Sequence, residues 1–224
     1  VTALITNVAI QKTTFKYEIP YMLLITAVLL VMGMTGNEIT FIEGVILWIL
    51  FIAYLLYLYL LAKKGNDGGD EQSVKLYPVW KCLLFIVLGG VCVVIGSQLV
   101  VNGATTIARA CGMSERFIGL TIVAFGTSLP ELVTSVSAAR KGNAGIAIGN
   151  IVGSNIFNIL FVIGTVALIC PVPFESRFVI DTVVAILCGV LLWGGTIRHK
   201  ELRKPCGVVM LLCYVAYFVY LAVM

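Results

Sequence analysis

Glu131 is the residue whose position most demands a chemical account. It lies in the run Ala124-Phe125-Gly126-Thr127-Ser128-Leu129-Pro130-Glu131-Leu132, inside a long apolar block and eight residues or more from either basic flank. The other ten of the eleven acidic residues fall in polar stretches or at the ends of apolar blocks. A carboxylate at the centre of a bilayer costs about 2.5–3.5 kcal/mol on insertion scales, which makes it a functional candidate by default. Pro130 has no N–H, so the carbonyl of Gly126 loses its helical partner, and Gly126 loosens the backbone further. Thr127 and Ser128 add hydroxyls, and on a continuous helix Thr127 and Glu131 would share a face. Freed carbonyls, hydroxyls and a carboxylate are hard oxygen donors, the kind Ca²⁺ and Na⁺ prefer. The bland alternative is a protonated Glu131 that ties two helices together.

A second segment, Gly149-Asn150-Ile151-Val152-Gly153-Ser154-Asn155-Ile156-Phe157-Asn158, carries a polar stripe. Asn150, Ser154 and Asn158 recur every four residues and share a helix face. Gly149 and Gly153 form a small-xxx-small pair suited to close helix approach. Polar residues in a membrane also serve simply as glue between helices. Ca²⁺ takes six to eight oxygens, usually with more than one carboxylate. These two segments supply one carboxylate, several hydroxyls and amides, and freed carbonyls, about half a site.

The elements that position these groups are membrane spans. The 224 residues are 60% hydrophobic and 12% charged, with a mean hydropathy of +1.06; soluble domains are about 25% charged. The apolar residues gather into blocks near the ~20 residues that a helical span requires. Seven spans are expected, at about 17–35, 42–62, 80–103, 117–139, 145–169, 178–197 and 205–224, which makes the protein an all-α polytopic membrane protein. The polar, Gly-rich stretch within 63–79 is the single real linker. The net charge of +4 gives no reason to expect a nucleic-acid partner. The seven cysteines form no CxxC pair and read as small buried hydrophobes. The sole histidine, His199, sits in a basic loop, which argues against a His-based metal site.

Alternating the loops between two sides places twelve of the fifteen Lys and Arg residues on one side and leaves only Arg109, Arg116 and Arg177 on the other. By the positive-inside bias, the linker is cytoplasmic and the C-terminus outside.

An internal repeat accompanies this pattern. Gly44-Val45, Ala53-Tyr54 and Tyr57-Leu58 recur as Gly207-Val208, Ala216-Tyr217 and Tyr220-Leu221, all separated by 163 residues. Ala3-Leu4-Ile5 recurs as Ala167-Leu168-Ile169 at a separation of 164, and Glu18 and Asp181 occupy equivalent places. Residues 1–62 thus repeat 165–224 after a one-residue gap. The second copy follows three further spans and the first does not. The expectation is therefore a fragment of a ten-span protein: 1–62 holds the last two helices of a truncated first repeat, and 80–224 a complete second five-helix repeat. An odd number of spans per repeat inverts one copy relative to the other, as in many secondary transporters.

The motif Gly119-Leu-Thr-Ile-Val-Ala-Phe-Gly-Thr-Ser-Leu-Pro-Glu-Leu132, followed by Gly149-Asn-Ile-Val-Gly-Ser-Asn-Ile-Phe-Asn158, resembles an α-repeat of the cation/calcium exchanger superfamily, in its prokaryotic sodium/calcium exchanger-like branch. The resemblance implies a ten-helix fold of two inverted five-helix repeats in a prokaryotic plasma membrane. It implies secondary antiport of Ca²⁺ for Na⁺ by alternating access, with no cofactor. It further implies Glu131 as the central carboxylate, Thr127 and Ser128 as hydroxyl and carbonyl ligands, Ala124 as a carbonyl ligand, and Ser154 and Asn158 as ligands from the facing helix. Asn158 stands where some members carry Asp, which makes a potassium-dependent mode less expected. Gly149-Asn150 followed by Ile-Val-Gly departs from the proton-coupled branch, although proton coupling or another divalent cation remains the alternative. A cation channel is a further rival, because broken helices suit pores as well. A serine hydrolase built on Ser128 lacks an intramembrane His and the second Gly of a nucleophile elbow. Without the first α-repeat, this chain is expected to be inactive alone.

Overall fold

The computed structural model describes residues 2–63, 78–113, 118–197 and 200–223. The expected linker lies outside the described residues except at its ends, as do Arg116 and His199. In chain order the elements are α1 (Thr2–Ile5), β1 (Val8–Ala9), a π-turn (Thr14–Glu18) leading into α2 (Ile19–Gly36), β2 (Glu38–Ile39) and α3 (Phe41–Lys63). Next come α4 (Val79–Ala110), a π-turn (Gly119–Val123), α5 (Ala124–Thr127) and α6 (Leu129–Arg140). The chain continues as α7 (Ala144–Phe157), a π-turn (Asn158–Ile163), α8 (Gly164–Ile169), β3 (Val172–Pro173), α9 (Ser176–Ile197), β4 (Glu201–Leu202) and α10 (Lys204–Val223).

Among the described residues, six helical segments are long and apolar enough to cross a bilayer, and the bent pair Thr121–Thr127 with Leu129–Arg140 makes a seventh when taken as one span. All seven expected spans therefore have a counterpart, with two corrections. The third reaches Ala110 rather than 103, giving a 32-residue helix of about 48 Å at 1.5 Å per residue. The first begins at Thr14, because the π-turn carries helical structure upstream, and this draws Glu18 inside the span at 9% exposure. Glu131 is thus not the one sheltered acid.

The described chain divides into two compact units. The first comprises residues up to 63 together with 135–213; the second comprises 78–134 and 214–223. Ile19, Ile25, Leu47, Val152, Ile156 and Leu160 are fully buried at the centre of the first unit. Lipid is as apolar as these side chains, so close packing rather than escape from water holds them together. Trp48 and Phe51 of α3 interleave with Phe157 and Phe161, and the Trp48 indole N–H donates to the Thr165 hydroxyl at 3.2 Å.

The repeat appears in the first unit as a two-fold relation. β1 pairs antiparallel with β4, Val8 opposite Leu202 and Ala9 opposite Glu201. β2 pairs antiparallel with β3, Ile39 opposite Val172 and Glu38 opposite Pro173. Shifting residues 8 and 9 by 164 and residues 38 and 39 by 163 converts one pairing into the other, residue for residue, with the copies exchanged. Flanking details obey the same exchange. Asn37 and Lys200 are the two non-glycine residues with positive φ among those described, at 54° and 53°. The Ile10 N–H donates to the Lys200 carbonyl (2.9 Å), and the Phe174 N–H to the Asn37 carbonyl (2.7 Å). A Cβ on Gly44 would lie 2.9 Å from the Ala167 Cβ, and one on Gly207 would lie 2.9 Å from the Ala3 Cβ. This is the inverted-repeat geometry that the two sequence offsets imply.

Candidate cation-binding site

In the second unit the run containing Glu131 forms two short helices rather than one. α5 ends at Thr127 and α6 starts at Leu129, and the axis bends by 48° between Thr121–Thr127 and Leu129–Arg140. Ser128 sits at the break with φ −92° and ψ 0°, and its N–H reaches back to the Phe125 carbonyl at 3.1 Å. That φ/ψ combination is sparsely populated and common at functional turns. The Ser128 carbonyl then accepts the Leu132 N–H at 3.1 Å, opening α6. Pro130 lies in the first turn of α6, where its missing N–H has no intrahelical partner to lose. The break therefore falls at Ser128, two residues before the proline. The shared face of Thr127 and Glu131 presumed a continuous helix and is not formed as such.

The carbonyl of Gly126 accepts the Ser97 hydroxyl of α4 at 2.7 Å. Gly126 itself is required by packing, since a Cβ there would overlap Cγ2 of Val101. Thr127 and Ser128 are exposed and Glu131 is half-buried, with its Oε2 closed to solvent. Ala124 opens α5 directly after the π-turn that ends at Val123. π-turns inside helices are frequent at functional sites, and another begins at Asn158.

In the first unit, α7 and the π-turn that follows turn Val152, Ile156 and Leu160 onto the core. Asn150, Ser154 and Asn158 are offset from that row by two residues, about 200° at 100° per residue, and so lie on the opposite side. Ser154 is half-buried and Asn158 exposed. The glue reading holds for Asn150, whose Nδ2 donates to the Ser135 hydroxyl at 3.2 Å. Ser135 is buried and donates in turn to the Ala147 carbonyl at 3.4 Å. Asn155, off the stripe, bonds back to the Ile151 carbonyl. Gly149 and Gly153 face open space, so the close approach expected of them does not occur among the described residues.

The structure thus keeps Ala124, Thr127, Ser128 and Glu131 on one interrupted segment of the second unit, and Ser154 and Asn158 on one polar face of the first. Among the described residues no three His, Cys, Asp or Glu side chains gather; the candidate donors comprise neutral oxygens and a single carboxylate. Ser97, Ser135 and the burial of Glu18 are absent from the sequence reading. The periodicity of α4 could have marked Ser97 as a polar residue on a helix face, though not its partner.

An inverted repeat in one unit and, in the other, an interrupted helix with a sheltered carboxylate just beyond the interruption are both features of secondary transporters. The family described as sodium/calcium exchanger protein matches residues 81–223, and this chain belongs to that family. It is 31% identical over 226 residues to the inner membrane protein YrbG of Escherichia coli strain K12, covering 93% of this chain and 67% of that protein. The sodium/calcium exchanger MaX1 of Methanosarcina acetivorans is 39% identical over 142 residues, 63% of this chain and 41% of that protein. Among solved structures, the sodium-calcium exchanger NCX_Mj superposes with a TM-score of 0.77 at 32% identity, over 98% of this chain and 70% of that one. The chain is an integral membrane protein of the exchanger family.

Proposed function

We propose that the chain carries the ion site of a secondary antiporter that exchanges Ca²⁺ for Na⁺ by alternating access, with both ions as cargo. The observation that carries this reading is the break at Ser128, which opens the helix one turn before Glu131. The ligands are the Glu131 carboxylate, the oxygens of Thr127 and Ser128, the Ala124 carbonyl, and the side chains of Ser154 and Asn158.

An unneutralised carboxylate among apolar helices resists any rearrangement that would carry it through a drier environment. Bound Ca²⁺, or Na⁺ ions competing for the same oxygens, would neutralise it and release that restraint, and coupled exchange follows. One carboxylate is fewer than Ca²⁺ usually takes. We therefore place the remaining ligands in a first repeat, of which 1–62 holds the last two helices, with 80–224 as the second repeat. On this reading the chain is inactive without that partner. The surrounding bilayer is that of a prokaryotic plasma membrane, with the 63–79 linker cytoplasmic and the C-terminus outside.

The test is Na⁺-gradient-driven ⁴⁵Ca²⁺ uptake into proteoliposomes of the protein extended to two full repeats. Uptake should require the gradient and be abolished by Glu131→Gln, with the variant still folded. Wild-type flux from folded Glu131→Gln, or uptake driven equally well by a proton gradient alone, overturns it.

A further inference from the structure

We infer that Ser97, a residue outside both sequence motifs, is a positioning residue for the ion site; this rests on the exchanger reading above. Nearly all of α4 is exposed. From residue 82 onward the residues that are not exposed are Val93, Ser97, Val101, Ala104, Thr105 and Ala108, spaced three or four apart and so on one face. Two successive members of that row meet the same residue of the interrupted span. Val101 closes the space beside the Gly126 Cα, and the Ser97 hydroxyl donates to the Gly126 carbonyl at 2.7 Å.

That carbonyl lies in the last turn of α5, where helix carbonyls lack an intrahelical partner, and residue 130, just beyond the break, has no N–H to offer it either. The Ser128 N–H divides between this carbonyl and that of Phe125, and a half-buried carbonyl in a membrane helix gains from a well-directed donor, which Ser97 supplies from α4. The Gly126 carbonyl belongs to the peptide that leads into Thr127, and Ser128 follows. Holding it toward α4 fixes the rotation of that peptide, and with it the orientation of the Thr127 and Ser128 groups that follow. Ser97 touches no ion on this account. It sets the orientation of groups that do, so its loss should weaken ion binding while leaving turnover largely intact.

The experiment measures half-saturating Ca²⁺ and maximal rate in the Na⁺-driven uptake assay. Ser97→Ala should raise the half-saturating concentration about fivefold, the scale of one hydrogen bond, and keep the maximal rate within about twofold. Ser97→Thr retains the hydroxyl and should stay near wild type. Ser97→Val has the shape of Thr without the donor and should behave as Ser97→Ala, which keeps the comparison available if the alanine variant folds poorly. Val93→Ala, one turn away on the same face, should leave half-saturation unchanged. Equal half-saturation in Ser97→Thr and Ser97→Val, or an unshifted Ser97→Ala, overturns this inference alone. Absence of Na⁺-driven Ca²⁺ uptake in wild type overturns the exchanger reading and this inference with it.

Discussion

Asn150 of α7 donates a hydrogen bond to the buried hydroxyl of Ser135 on α6 at 3.2 Å, and Ser135 passes its own proton toward the Ala147 carbonyl. The contact ties the helix that carries the polar stripe to the helix that continues from Glu131.

Its removal is expected to act on stability more than on ion selectivity. Asn150→Ala and Ser135→Ala should each lower thermal stability in detergent, by about 1 kcal/mol, with a coupling near 0.6 kcal/mol, the average found for hydrogen bonds between membrane helices. A double mutant whose loss equals the sum of the two singles would show that the pair does not interact.

The two-fold relation predicts matched sensitivities at positions far apart in sequence. Gly44→Ala and Gly207→Ala place the new Cβ 2.9 Å from Ala167 and Ala3 respectively. Each should cost about 1–3 kcal/mol through overpacking, and the two losses should agree closely. Unfolding monitored by tryptophan fluorescence would reveal a mismatch if one copy lacks this contact.

Thr127→Val keeps the shape of the side chain and removes an oxygen donor. Half-saturating Na⁺ and Ca²⁺ should both rise, by about threefold to tenfold if one ligand hydrogen-bonding oxygen is lost, with a smaller effect than Glu131→Gln. Unchanged affinity for both ions would remove Thr127 from the ligand set.

Asn158→Asp adds a charge to the exposed end of the polar stripe. Coulomb attraction scales with ion charge, so apparent affinity for Ca²⁺ should increase more than that for Na⁺. Competition of Na⁺ against ⁴⁵Ca²⁺ uptake gives the ratio directly, and a fall in Ca²⁺ preference would place Asn158 away from the ions.

Sidedness is testable with single cysteines in a cysteine-free background. The β1–β4 end of the first unit collects Lys12, Lys200, Arg203 and Lys204, and Arg177 follows β3 at the other end. Lys200→Cys and Lys12→Cys should react with an impermeant thiol reagent only in opened or inverted vesicles, and Arg177→Cys in intact cells. Labelling of all three from one side would defeat the assigned topology.

Much of the scaffold was legible because membrane helices advertise themselves by length and composition, and because two constant offsets, 164 and then 163, mark the repeat; the strand pairs Val8–Leu202 and Ile39–Val172, which those offsets interchange, were not expected from sequence. The site was partly legible: Pro130 announced a lost hydrogen bond at Gly126, and the stripe from Asn150 to Asn158 followed from period four. The break itself moved to Ser128 because a proline in the first turn of a new helix breaks no hydrogen bond there. Ser97 could not be paired with Gly126 from sequence, since 29 residues separate them and the choice of donor depends on how α4 lies against the break. The burial of Glu18 was hidden by the π-turn, whose extra residue per turn carries no compositional mark.

The crossed strand pairs also set a timetable for biogenesis. Val8 cannot meet Leu202, nor Ile39 meet Val172, until the ribosome has added the 194 and 133 residues that separate them, about 7–40 s at ordinary elongation rates. The helices beside β1 and β2 must wait in the bilayer with that connecting backbone unpaired until β3 and β4 are made. A chain stalled before residue 172 would hold β1 and β2 unpaired at once.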